Sequence, residues 1–251
     1  VAGYADIDRI CRDAVGFRMG PFELMDLTAV DVTHPATNLI YEQFYHEPRF
    51  RPATLMQMQL DAGLLGRKVG NGFYVYEDGK AQIAEEAPAP DFDGRPVWIS
   101  KVELKAYEKL AAIVHETGAI LENGDKPSDD ALILVTPIGG DATDCAVVGD
   151  LDAERTIAVD TLFGLSKRRT LMKTAVSRAD VVEAAHGLLG GGDVPATVIG
   201  DTPGFIAQRA VAAICNIGCS VAQARTAAPE DIDMAVVLAL NYPMGPLAFG
   251  D

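Results

Sequence analysis

Apolar positions recur at helical spacing near both ends of the chain, and between them they gather into short runs of buried-strand type. Residues 6–62 read as short helices with clear punctuation. Residues 6–15 end at Gly16, a C′ glycine, and Gly20-Pro21 opens the next helix with Pro21 at its first position and Glu23 in an acidic first turn. Pro35 and Pro52 open two more, in which Leu39, Ile40 and Phe44, then Leu55, Met56 and Leu60, fall on one face and Gly63 closes the last. GLLGRKVGNGFYVY then predicts a glycine-rich turn entering a short aromatic strand.

Residues 77–96, polar and proline-containing, read as a linker. Beyond it PVWIS, AILE, ALILVTPI, TIAVDTL, TLMKTAV and ATVIGD predict strands, with helices over about 101–117 and 179–189. Strands alternating with helices predict an α/β layer with at least partly parallel pairing. From Asp201 the pattern is helical again: Thr202 as N-cap and Pro203 at N1 of a long helix, then Pro229 opening another with Glu230, Asp231 and Asp233 in its first turn.

The two helical parts share a phrase. DIDRICRDAVGFRMGPFELMD at 6–26 and DIDMAVVLALNYPMGPLAFGD at 231–251 align without a gap, with eight identities in 21 positions. The chain thus begins in one copy and stops within the next. With Val rather than Met at position 1, the expectation is a piece of a longer protein.

Composition narrows the partners. A hydrophobic share of 49% is enough for ordinary globular cores, while a net charge of −15 repels nucleic acid and anionic lipid. No run of 18 apolar residues predicts a membrane span, and an acidic cytoplasmic protein is expected. The four cysteines are scattered and lack zinc-ligand partners, so they read as buried free thiols, and no metal is expected.

GFRMGPFELMDL, PRFRP at 48–52 and LGRKVGNGFYVY resemble the helical C-terminal domain of 3-hydroxyacyl-CoA dehydrogenases. DTPGFIAQR at 201–209 is similar to the entry into that domain, and NYPMGPLAFGD resembles a bacterial subset in which the helical domain occurs twice, as in the phenylacetate-degradation type. The resemblance implies a mixed fold: all-α helical elements flanking a reduced Rossmann-like α/β domain. It divides the chain into a helical domain at 1–76 lacking its first long helix, a linker at 77–96, the α/β domain at 97–200 and a truncated second helical domain from 201 to 251. It further implies an oxidoreductase of β-oxidation chemistry using NAD and acyl-CoA, with an NAD-binding catalytic domain upstream and a dimer as the assembly. No cofactor is expected on these residues. A duplicated chain could also reproduce the family's dimer pairing internally, placing 201–251 against 6–76.

The family's hydride transfer needs a glycine-rich turn at a helix N-terminus for the pyrophosphate and a His base oriented by Glu. After the first α/β strand the loop reads SKVELKAYEK, without glycine, and Glu122 ends the second strand as a ribose-binding acid would or as a solvated carboxylate. The resemblance carries the family's catalytic His, Glu and Asn onto Asp160, Val176 and Gln208, so these residues are expected to be catalytically silent. His34, His46 and His115 lie in surface-like contexts, and His186 near a helix end. Lys167, Arg168 and Arg169 form the densest basic run, either a site for coenzyme A phosphates or a solvated turn. Arg67 and Lys68 could touch CoA or a neighbouring domain, or simply shape their loop. Phe17, Met19 and Phe22 read as core or domain-interface residues, with a substrate wall as the other reading. The resulting expectation is a non-catalytic portion of a dehydrogenase that walls an acyl-CoA site and mediates association. The alternative is a scaffold or CoA-binding module with a degenerate dinucleotide fold.

Overall fold

The computed structural model describes residues 1–250; Asp251, the last identity of the repeated phrase, lies outside the described residues. The chain forms two compact units, Val1–Arg18 with Ala87–Asp251, and Met19–Glu86.

The chain opens with α1 (Tyr4–Ile10), which widens into a π turn over Cys11–Val15 and stops at Gly16, in the left-handed region at φ 92° as a C′ glycine should be. The Met19–Glu86 unit follows with α2 (Pro21–Thr28), α3 (Val30–Gln43) and α4 (Thr54–Asp61). The Gly20 amide donates to Glu23 Oε2 at 3.0 Å, so the acidic first turn satisfies a free donor at the helix start. Pro35 does not open α3; that helix begins five residues earlier, at Val30, and takes the proline into its second turn. The linker reading also needs correction at its start. Strands β1 (Tyr76–Glu77) and β2 (Lys80–Ala81) pair antiparallel across Asp78-Gly79, both at positive φ (49° and 73°), the Asp-Gly signature of a tight hairpin.

One carboxylate holds this unit. Asp26 is fully buried and accepts from the Phe73 and Tyr74 amides, both at 2.9 Å, and from the Tyr76 hydroxyl at 3.1 Å. A Cβ at Gly72 would collide with the Asp26 carboxylate, and one at Gly66 with its backbone. The glycines of GLLGRKVGNGFY thus let the loop close over α2.

In the other unit the core is a six-stranded sheet. Its strands are β3 (Val97–Ile99), β4 (Leu121–Glu122), β5 (Leu132–Val135), β6 (Thr156–Val159), β7 (Arg169–Lys173) and β8 (Ala196–Ile199), in spatial order β4-β3-β5-β6-β7-β8. Every pair is parallel except β6 with β7. The strands are short apolar runs because both faces are covered. Val97, Ile99, Leu132 and Leu134 face one core with α5 (Leu104–Glu116) and α7 (Ala179–Gly190). Trp98, Ile133, Val135 and Ala158 face the other, filled by Ile10, Ala142 of α6 (Ala142–Val148), Phe205 and Val211.

Helix α8 (Ile206–Gln223) starts later than Thr202 predicts: Pro203 and Gly204 (φ 73°) turn the chain first, and Thr202 instead accepts from Arg209 Nη1 at 3.0 Å. Helix α9 (Pro229–Leu240) begins at its proline and ends at Asn241, left-handed at φ 53° where the other copy has Gly16. Residues 4–15 pack against α8, so the expected contact between the two helical parts holds for the start of the first copy. Phe17 and Tyr242, the same position of the two copies, stack at 4.6 Å between ring centroids. The two copies of the phrase thus meet at equivalent positions within one chain.

Candidate functional site

Two clefts open at the carboxyl ends of the parallel strands, where open α/β sheets hold their ligands. The first, about 600 Å³, lies between the segments leaving β5 (Ile138, Gly139) and β6 (Leu162, Phe163), the first turns of α8, and Val15, Met244 and Phe249 from the repeated phrase. Asp201 fixes one wall. Its carboxylate accepts from the Ala142 amide at 3.0 Å and from the Thr143 hydroxyl, tying the entry of α8 to the start of α6.

Asp160 and Gln208 come together beside this cleft. Gln208 is buried and lines it; its Nε2 donates to Asp160 Oδ1 at 3.0 Å and its Oε1 accepts from the Gly139 amide at 2.8 Å. The Leu162 amide also donates to Asp160 Oδ1, at 3.1 Å, while buried Oδ2 has no hydrogen-bond partner. Burial pushes the Asp160 carboxyl above its ordinary value, against the opposing pull of its hydrogen bonds from Gln208 and the backbone. Val176 does not join them. The residue opposite Asp160 across the antiparallel ladder follows from Val159↔Leu171 and is Thr170, whose carbonyl accepts from the Asp160 amide at 3.0 Å. The chain then runs away from Asp160 along β7, so Val176, exposed beyond the far end of that strand, corresponds to no partner of Asp160.

The second cleft, about 570 Å³, lies where the strand order reverses, beside the ends of β3 and β5, and tests whether a dinucleotide fits. It does not. Glu103 is the N-cap of α5 and its carboxylate accepts from the Lys105 amide at 3.0 Å, placing negative charge at the helix end that a pyrophosphate needs. Val102, 96% exposed, puts an apolar branched side chain at the cleft's lining where a pyrophosphate site needs glycine. Lys101 and Lys126 donate to carbonyls, of Asn123 at 2.9 Å and of Gly149 and Asp150 at 2.9 Å each. Glu122 is held by the Ser128 amide and hydroxyl.

The basic run is not a cluster. Arg168 is buried, with Nε on Asp13 at 2.7 Å and Nη1 on Thr197 at 2.8 Å; Arg169 donates to the Leu165 and Leu189 carbonyls; only Lys167 is exposed. Arg168 and Arg169 are therefore unavailable to coenzyme A phosphates. In the Met19–Glu86 unit Lys68 pairs with Asp31, Arg67 lies over Gly79, Phe22 packs edge-on against Phe73 with centroids 4.7 Å apart, and Met19 is half-buried.

Two further readings are corrected. His34 is buried, not at the surface, and its Nε2 meets Gln57 at 2.8 Å and Asn38 at 3.1 Å. Of the thiols Cys11 alone is buried, its pKa pushed up to about 12 mainly by burial, whereas Cys219 is exposed. Among the described residues no group of three or more His, Cys, Asp or Glu could hold a metal ion, and no helix is long and apolar enough to cross a membrane.

Comparison with known proteins gives these features a family. Residues 1–76 and 204–251 match the 3-hydroxyacyl-CoA dehydrogenase C-terminal domain. All 251 residues align with 47% of the 3-hydroxyadipyl-CoA dehydrogenase of Escherichia coli K12 at 32% identity. The chain belongs to the 3-hydroxyacyl-CoA dehydrogenase family. A solved 3-hydroxybutyryl-CoA dehydrogenase from Escherichia coli K12 superposes over the whole chain and 48% of its own, with a TM-score of 0.76 and 29% identity. A Mycobacterium tuberculosis 3-hydroxybutyryl-CoA dehydrogenase is 36% identical over 78 residues, 30% of this chain and 27% of that protein. The chain spans about half the length, or less, of these family members. The family domain matches in two separated pieces, and the segment between them contains Asp160 and both turns of the second cleft.

Proposed function

We propose that this chain serves an NAD-dependent 3-hydroxyacyl-CoA dehydrogenase as its substrate-walling and association part, without performing hydride transfer itself. The observation that carries this reading is the Asp160–Gln208 pair. Oxidising a 3-hydroxyacyl-CoA requires a base that takes the hydroxyl proton as hydride leaves to NAD. The residue matched to that base is a buried carboxyl, not an imidazole, and its Oδ1 already accepts from Gln208 Nε2 and the Leu162 amide, so it is built into the fold rather than presented to a substrate hydroxyl. The carboxylate cap of Glu103 supports the same assignment, since it disfavours NAD on this α/β layer. The layer descends, on this reading, from a Rossmann-like domain that has lost its ligand and kept its role as a spacer. The helical segments would line the acyl-CoA site of a bacterial cytoplasmic enzyme of β-oxidation type and form its dimer surface. The Phe17–Tyr242 stack is one such pairing made within the chain.

Titrating the chain calorimetrically with NADH, and assaying it with acetoacetyl-CoA and NADH, tests this. No NADH binding and no turnover are expected. Saturable NADH binding would overturn the reading of the second cleft, and turnover that of Asp160. A scaffold outside any dehydrogenase is the competing reading, favoured if the full-length protein also fails to reduce acetoacetyl-CoA.

A further inference from the structure

We infer that residues 89–96 are a strap clasped along α7, so that the give in the connection leaving the Met19–Glu86 unit is confined to residues 82–88. The inference concerns the mechanics of the fold and stands whether or not the chain takes part in hydride transfer.

Residues 82–88 are all exposed and belong to no helix or strand, while Ala89 and Pro90 become half-buried. From there the chain meets α7 at two points. At the first, Gly187 lets the backbone of the strap lie directly on the helix. A Cβ at Gly187 would stand 2.6 Å from the Pro90 carbonyl oxygen and 2.9 Å from the Phe92 amide nitrogen. Beside it Phe92 packs on the apolar core shared by α5, α7 and one face of the sheet. At the second point Arg95 Nη2 donates to Asp180 Oδ2 at 3.0 Å. Asp180 and Gly187 are separated by two turns of α7, so they share one face and lie about 10 Å apart along it. Phe92 and Arg95 are three residues apart, and extended chain of that length also spans about 10 Å. The strap thus runs antiparallel to α7 until Pro96 enters the sheet, its carbonyl accepting from the Leu132 amide at 2.8 Å.

The two points are unequal. The Asp180 carboxylate is exposed, and exposed ion pairs are screened by salt and contribute little. Phe92 withdraws apolar ring surface from water, and a side chain at position 187 would force the strap off the helix beside it. The clasp therefore depends on Gly187 and Phe92 and survives high salt. Glycine is a poor helix residue, and Gly187 lies inside α7 rather than at its cap. Helix propensity alone favours alanine there, so the glycine serves the close approach of the strap.

Limited proteolysis of the chain tests this, with each rate taken relative to a synthetic peptide of residues 82–96. Asp-N protease reads the Phe92–Asp93 bond inside the strap, and Glu-C protease reads Glu86–Ala87 before it. In the native chain the first bond should be cut about a hundredfold more slowly than in the peptide, and the second within about tenfold of it. Gly187→Ala should speed cleavage at Phe92–Asp93 about tenfold and leave Glu86–Ala87 unchanged. Phe92→Ser, which leaves α7 intact, should act in the same direction and carries the test if Gly187→Ala fails to fold. Arg95→Met, or about 0.5 M salt, should change the rate less than about threefold. Urea midpoints and circular dichroism check that each variant is folded. Equal protection of the two bonds in the native chain would overturn the inference, as would a Phe92–Asp93 rate indifferent to both substitutions or release of the strap by salt alone.

Discussion

Asp26 and Asp160 are both buried carboxyls, one in each unit, and they are treated in opposite ways. Asp26 meets three donors, two amides and a phenol, shared between its two oxygens. Asp160 concentrates two donors on Oδ1 and leaves Oδ2 with none. A charged carboxylate surrounded by donors is a structural clamp, because each donor would otherwise be stranded. A carboxyl with a spare oxygen clamps little and keeps a polar valence that the fold does not use. Tyr76 shows the effect of the first arrangement on a neighbour. Burial, then the Asp26 charge and the hydrogen bond to it, holds its hydroxyl protonated well above the usual phenol range.

The largest expected effect tests the clamp. Asp26→Ala strands the Phe73 and Tyr74 amides and the Tyr76 hydroxyl, and should cost about 3–5 kcal/mol at roughly 1–3 per buried donor. A urea midpoint, with hydrogen exchange at the Phe73 and Tyr74 amides, reads it. A loss below about 1 kcal/mol would mean water replaces the carboxylate freely, and the contrast with Asp160 would collapse.

Next is Arg168→Met. It removes the bonds to Asp13 and Thr197, but Asp13 is partly exposed and water can solvate what remains. A loss of about 2 kcal/mol is expected, below the roughly 3–5 typical of a fully buried pair. Lys167→Ala, one residue away and exposed, should stay within about 0.5 kcal/mol. Comparable losses in the two would show that the run acts as one surface cluster after all. Asp233→Ala should cost about 1 kcal/mol. It removes an acceptor of the Leu247 and Ala248 amides, at 2.8 and 3.1 Å, in a short turn open to solvent.

How far these roles could be read in advance depends on the distance along the chain at which each is decided. Gly16, Pro21 and Gly63 punctuate helices through bonds a few residues long, and their readings match the structure. The α/β layer was legible because strands buried on both faces become continuous apolar runs. The Asp78-Gly79 hairpin carried a local signature, masked by the polar, proline-containing stretch around it. Asp26 gave no such sign, its nearest-numbered clamp partner being 47 residues away. The run at 167–169 misled for a geometric reason. At a strand's entry successive side chains point in different directions, so neighbours in sequence are not neighbours on a surface. Asp160 and Gln208 could be named only through the family's motifs; their contact, 48 residues apart, and the orphan Oδ2 belong to the fold.

The most discriminating comparison makes one substitution at the two carboxyls, where it should give opposite results. In Asp26→Asn an amide group must face an amide or phenol donor, so a loss of about 2 kcal/mol is expected. In Asp160→Asn the amide oxygen can still take both donors from Gln208 and Leu162, and the new NH₂ occupies the place of the oxygen without a partner. The ionisation then sets the pH dependence. Burial raises the folded-state pKa of Asp160 above its unfolded value, so its stabilising contribution is complete below the ordinary aspartate range. That contribution is lost as the pH rises through the folded-state value. Asparagine does not titrate, so Asp160→Asn should gain on the native chain between acid and neutral pH, ending equal to it or more stable. Urea midpoints at pH 4 and pH 8 read the difference. A variant that falls behind as the pH rises would mean that Asp160 is an ionised clamp like Asp26.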